Sequence, residues 1–77
     1  MSEPLEVEVD ARGTRCPVPV VEAARAARDA APGTVLVVRA TDPATAHDLP
    51  AWCRMRGHEL VSLERLPDEL VARVRLA

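Results

Sequence analysis

Thr34 to Ala40 reads Thr-Val-Leu-Val-Val-Arg-Ala, four apolar residues in succession inside a short segment. A strand with one wet face alternates polar and apolar side chains; a nearly continuous run is covered on much of its length and belongs inside a sheet. The segments around it complete the pattern. Leu5, Val7 and Val9 alternate with Glu6, Glu8 and Asp10, the period of a strand with one solvated face. Pro17 to Ala31 reads as a helix, with Pro17 favoured at its first position and Pro19 tolerated within its first turn. Glu22, Arg25, Arg28 and Asp29 form its charged stripe, with Glu22–Arg25 and Arg25–Asp29 as weak surface pairs. Val20, Val21, Ala24, Ala27 and Ala31 are expected to face the sheet, and Pro32-Gly33 ends the helix.

After the apolar strand, Asp42 is a natural N-cap and Pro43 a natural first helical residue. A second helix is expected over 43–56, bent or restarted near Pro50, with Asp48 capping the second start. Ala46, Leu49, Trp52 and Cys53 share a face, and Gly57 ends the element. Residues 58–65 and 70–76 are read as two further strands around the turn Pro67-Asp68-Glu69, the last with Leu70, Ala72, Val74 and Leu76 alternating with Val71, Arg73 and Arg75. The order β-α-β-α-β-β implies parallel pairing with right-handed crossovers, then an antiparallel hairpin. The fold class is therefore α/β (α+β): a two-layer sandwich of a mixed four-stranded sheet with two helices on one face. The pattern leaves strand order open.

Seventy-seven residues leave no room for two cores, so 1–77 is expected to be one domain. A chain this short buries about 60–65% of the surface its unfolded form exposes, so its stability is modest. Its core draws on Ala, Val and Leu, with one Trp and neither Phe nor Tyr. All ten basic residues are Arg, which excludes a Schiff-base lysine and a P-loop. A net charge of −2 and a single aromatic residue argue against direct nucleic-acid binding. Met1 to Asp10 has four acidic residues and neither a basic nor an apolar leader segment, and no apolar run approaches the ~20 residues of a membrane span. A cytoplasmic location without membrane association is expected. There Cys16 and Cys53 are free thiols rather than a disulfide.

Cys16-Pro17-Val18-Pro19 carries the chemistry. A cysteine at a helix start lies near the positive end of the helix dipole, which favours thiolate. The prolines fix the first turn but remove two backbone donors that could solvate the anion. Arg12 and Arg15 are close enough in sequence to add positive charge, and Gly13 permits an unusual backbone angle just before the thiol. These features predict that Cys16 titrates moderately below the ~8.5 of a free cysteine. The alternative is a small capping or half-buried cysteine with no chemistry.

The stretch Asp10-Ala11-Arg12-Gly13-Thr14-Arg15-Cys16-Pro17-Val18-Pro19 resembles the signature of the TusA/SirA-like sulfur-carrier family. Ala40-Thr41-Asp42-Pro43-Ala44-Thr45, Asp48-Leu49-Pro50, Trp52-Cys53 and Gly57-His58-Glu59-Leu60 resemble its later blocks, so the likeness covers residues 5–76. The resemblance implies a small sulfurtransferase in which Cys16 accepts sulfane sulfur as a persulfide and relays it to an acceptor protein. Asp10, Arg12, Gly13, Arg15, Pro17 and Pro19 would support the loop that carries it. The usual donor is a cysteine desulfurase. Destinations include 2-thiouridine synthesis in tRNA, molybdenum-cofactor synthesis, sulfur oxidation and thiosulfate use. Thr14 and Val18 stand where members of the tRNA pathway more often have Leu and Glu, a departure that bears on pathway rather than on persulfide chemistry. The family fold is the same β-α-β-α-β-β sandwich. Persulfide transfer is thiolate attack on sulfur, related to disulfide exchange; no cofactor, metal, nearby general base or deep pocket is expected.

Other readings compete for the same residues. A Cys/His pair would need His47 or His58 beside Cys16, and nothing in the sequence puts either there. A metal site from Cys16, Cys53, His47 and His58 lacks a paired short ligand spacing. Cys53 reads as a buried core residue, with a resolving thiol as the alternative. Asp10 reads as a strand-end residue shaping the loop. Arg54 and Arg56, with Met55, suit a helix C-terminus or a rim for an acidic partner or RNA. A non-catalytic regulatory or nucleic-acid-binding module of SirA type remains the alternative to a carrier; it would want a basic stripe that this chain does not obviously possess.

Overall fold

A computed structural model describes residues 5–77; the first four residues, part of the segment searched above for a leader, lie outside the described residues. The chain runs β1 (Glu6–Ala11), α1 (Val18–Arg28), β2 (Val35–Ala40), α2 (Thr45–Arg56), β3 (Glu59–Arg65) and β4 (Leu70–Arg75). The sheet order is β1-β2-β4-β3. β1 and β2 are parallel, whereas β4 is antiparallel to both β2 and β3. The final hairpin thus inserts its second strand beside β2 and leaves β3 at the edge. β2 is interior, as its unbroken apolar run requires, and every residue of it except Arg39 is buried.

One face of the sheet carries the helices. Val9, Leu36, Val38, Ala72 and Val74 form a single core with Ala23 of α1 and with Leu49, Trp52 and Cys53 of α2. Small side chains let α1 lie close: Ala24, Ala26, Ala27 and Ala30 pack against this core. The other face is covered by the protein's own charged side chains. Arg39 of β2 bridges Glu8 of β1 and Glu69, Arg73 pairs with Glu6, and Arg75 pairs with Glu59. Their aliphatic stems shield Val35, Val37 and Val71, which are buried although no helix covers them.

Both helices differ in detail from the sequence pattern. α1 is shorter than 17–31: Pro17 occupies its N-cap position, Pro19 is fully buried in its first turn, and Asp29 is its C-cap. Val21 is 42% exposed and Ala31 lies beyond the helix, so the buried face is turned towards Pro19 and Ala23. Glu22–Arg25 closes at 3.5 Å on the outer face. α2 does not restart. It runs from Thr45 to Arg56 with Pro50 inside it and ends at Gly57, whose φ of 77° is the left-handed conformation glycine adopts freely. Thr45, Leu49, Trp52 and Cys53 are its buried residues, one continuous stripe that passes through the proline.

Candidate active site

Parallel pairing in register, with Ala11 opposite Ala40, brings the loop after β1 and the loop after β2 to the same end of the sheet. The two loops are tied together by side chains. Gly13, at φ 81°, turns its N–H to Thr41 Oγ1 at 2.8 Å. Cys16 N–H donates to Asp42 Oδ2 at 2.7 Å. Asp42 Oδ1 accepts Ala44 N–H at 3.0 Å, so one carboxylate both turns the chain into α2 and holds the cysteine. Thr14 Oγ1 closes the first loop on itself by donating to Ala11 O at 2.6 Å. Gly13 to Arg15 and Thr41 to Pro43 face each other across a shallow groove.

Cys16 is exposed at the end of this clamp, and Cys53 is buried; both are free thiols. The Cys16 thiol donates to Asp48 Oδ2 of α2 at 2.8 Å. Asp48, expected as a cap, instead lies inside the helix and reaches across to the sulfur.

The expected acidic thiol is overturned. The hydrogen bond to Asp48, followed by desolvation and the negative charges of Asp48 and Asp42, pushes the Cys16 thiol above the ordinary cysteine range. Three structural causes explain the reversal. Arg12 is committed to Asp10, donating Nε to Oδ1 at 2.9 Å and Nη2 to Oδ2 at 2.8 Å, and this pairing holds the Asp10 carboxyl far below the usual range. Arg15 acts on Asp42, not on the sulfur. The start of α1 also offers the sulfur few donors: Cys16 N–H is taken by Asp42, Pro17 and Pro19 have none, and Val18 N–H goes to Arg15 O at 2.8 Å. A helix start stabilises an anion largely through its free N–H groups, and here those nearest the sulfur are missing or occupied.

The remaining candidates lie elsewhere. His58 accepts Ala77 N–H through Nδ1 at 3.0 Å and rests against Trp52 with ring centroids 4.9 Å apart. Among the described residues, the sulfur of Cys16 is bonded to Asp48 and to no histidine, and no three His, Cys, Asp or Glu side chains gather as a cation cage. Burial pushes the Cys53 thiol up. Arg54, Met55 and Arg56 are exposed at the end of α2, away from the Cys16 clamp. Among the described residues, no helix is long and apolar enough to cross a membrane.

The clamp unites the two most distinctive stretches of the sequence. The family model for Sulfurtransferase TusA matches residues 7–76. The chain belongs to the TusA sulfurtransferase family. It is similar to the sulfur carrier protein TusA of Pseudomonas paraeruginosa (strain DSM 24068 / PA7), with 48% identity over 61 residues, covering 79% of this chain and 77% of that protein. The same-named protein of Pseudomonas aeruginosa (strain LESB58) is 46% identical over 61 residues, with the same coverage. That of Pseudomonas syringae pv. syringae (strain B728a) is 46% identical over 67 residues, 80% of each chain. Membership of the TusA family gives the chain a sulfur-carrier role, set between a sulfur donor and a sulfur acceptor.

Proposed function

We propose that residues 1–77 work as one sulfur-carrier domain that accepts sulfane sulfur on Cys16 as a persulfide and relays it, in the cytoplasm, to an acceptor protein. The donor is a cysteine desulfurase or another protein carrying a persulfide. The observation that carries this reading is the contrast between the two thiols: Cys16 is exposed on a loop clamped from two sides, and Cys53 is buried. A carrier needs one accessible sulfur held at the surface, where a partner's cysteine can reach it. Asp10 and Arg12 brace the loop, Gly13 and Arg15 shape it, and Pro17 and Pro19 fix the turn that follows. Thiolation of tRNA to 2-thiouridine is one destination for sulfur carried this way.

The charge pattern favours a carrier over a nucleic-acid module. Arg12, Arg39, Arg73 and Arg75 are paired with carboxylates, which leaves Arg28 and Arg56, beside His58 in one groove, as a short basic cluster. The test is the intact mass of the protein after incubation with a cysteine desulfurase and cysteine. One added sulfur in the wild type, absent from Cys16→Ser, is the expected result. An unmodified wild-type protein would refute the reading.

A further inference from the structure

Resting on the persulfide reading, we propose that Asp48 holds Cys16 as the protonated thiol in the free protein, and takes its proton when a donor persulfide flanked by a cationic group docks. The geometry supplies the argument. The sulfur donates to Asp48 Oδ2 at 2.8 Å, a contact in which only the protonated thiol can be the donor. The position of Asp48 is fixed by the helix that carries it, since Leu49 beside it is fully buried. The charged groups facing the sulfur are Asp48 from α2 and Asp42 from the loop before it; Arg15 lies near Asp42, and Arg12 is held by Asp10. The turn that bears the cysteine offers the sulfur few N–H groups to replace a lost proton: those of Cys16 and Val18 are occupied, and Pro17 and Pro19 have none. The thiolate is therefore disfavoured until something positive arrives.

That condition selects the partner. An anionic persulfide, R–S–S⁻, meets two carboxylates and is repelled; the form that docks is protonated on its outer sulfur, R–S–SH, the form that a thiolate can attack. A persulfide beside an Arg or Lys side chain brings a charge that pairs with Asp42 and stabilises the emerging Cys16 thiolate, while Asp48 takes the proton. The transfer then balances. Cys16 Sγ gives its proton to Asp48 and attacks the outer sulfur of the donor, R–S–SH. A new S–S bond forms on Cys16, the donor's S–S bond breaks, and its electron pair leaves on the R–S sulfur. Asp48 returns the proton to that thiolate. The products are the Cys16 persulfide and R–SH, with no net oxidation and no other reactant.

The test uses the full chain with Asp48→Asn, a second charge-free variant Asp48→Ala, and the conservative Asp48→Glu, each checked for folding by circular dichroism. The first measurement is the pH profile of alkylation at Cys16 by iodoacetamide, followed by peptide mapping. Removing the carboxylate is expected to move the midpoint to lower pH and to raise the rate at pH 7 several-fold, with Asp48→Glu close to wild type. A neutral reagent reports thiol ionisation, which a merely structural role would leave unmoved. An unchanged midpoint in a folded charge-free variant would overturn the proposal. The second measurement is sulfur loading from two persulfidated peptides that differ only in Arg or Glu beside the persulfide. Wild type is expected to prefer the Arg peptide, and the preference should shrink several-fold without the Asp48 charge. Equal loading of wild type by both peptides would overturn the choice of partner. Failure of both peptides to load Cys16 in any variant would refute the carrier reading and the transfer step together, whereas the alkylation profile stands or falls without them.

Discussion

Cys53 and Thr45 are two buried side chains on one stripe of α2, and they make opposite contributions. Cys53 is 2% exposed within the core formed with Leu49 and Trp52. Cys53→Ala should lower stability by about 1 kcal/mol or somewhat more in a denaturant titration, as small core truncations do, while Cys16 still accepts sulfur. Loss of transfer from a folded Cys53→Ala protein would identify it as a resolving thiol instead. Thr45 is 2% exposed, and its Oγ1 is buried without a hydrogen-bond partner. Removing an unpaired buried hydroxyl while keeping the side chain's shape is stabilising. Thr45→Val should raise stability by about 1 kcal/mol, a gain of roughly 4–8 °C in melting temperature for a domain of this size; a lower melting temperature would show that the hydroxyl has a partner in solution. At this scale the sequence singled out Cys16 but not the carboxylate that its thiol meets. Asp48 precedes Leu49-Pro50, so it looks like the cap of a restarted helix. A signal against that was present: Thr45, Leu49, Trp52 and Cys53 keep one helical phase straight through Pro50, which leaves no second start for Asp48 to cap. What lay beyond the sequence was the distance to Cys16, set by strands that pair only in the folded chain.

The loops and helix starts show where local pattern suffices and where it fails. Asp42 was expected as the N-cap of a helix starting at Pro43; the N-cap is Ala44 and the helix starts at Thr45, and Asp42 Oδ1 turns the chain just before it by accepting Ala44 N–H. Its second bond, to Cys16 N–H, is a long-range contact that local pattern does not encode. These two backbone N–H groups, Ala44 first, hold the Asp42 carboxyl below the usual carboxylate range. A carboxyl with a lower pKa folded than unfolded adds stability in full above its unfolded value, about 3.9, and loses that contribution as pH falls through the folded value. Acid should therefore loosen the clamp between the two loops. Thermal melts compared between pH 6 and pH 3 should show wild type losing more stability than Asp42→Asn, which has no charge to titrate. Equal losses would remove Asp42 as the source. The Cys16 expectation failed at the same scale. A helix dipole is read from position, but its effect on an anion depends on free N–H groups, and Pro17, Pro19 and the Arg15–Val18 bond remove most of those at the start of α1.

For the whole molecule, the element order and the two-layer arrangement were readable from periodicity, because β2's apolar run demands cover on both sides. The order β1-β2-β4-β3 was not, because a hairpin can add to a sheet by either of its strands. The cover on the open face was also hidden: Arg39, Arg73 and Arg75 alternate like ordinary solvated residues, and only strand pairing sets them against Glu8, Glu6 and Glu59. Of its two thiols, the assembled molecule presents Cys16 at the end where both loops meet and encloses Cys53 within its core. The most direct test of that division of labour is peptide mapping of bound sulfur after the protein has been incubated with a cysteine desulfurase and cysteine. Both thiols then compete within one molecule for the same donor. The account predicts a single added sulfur on the peptide containing Cys16, none on the peptide containing Cys53, and none anywhere in Cys16→Ser. Sulfur recovered on Cys53, or retained by the Cys16→Ser protein, would contradict it.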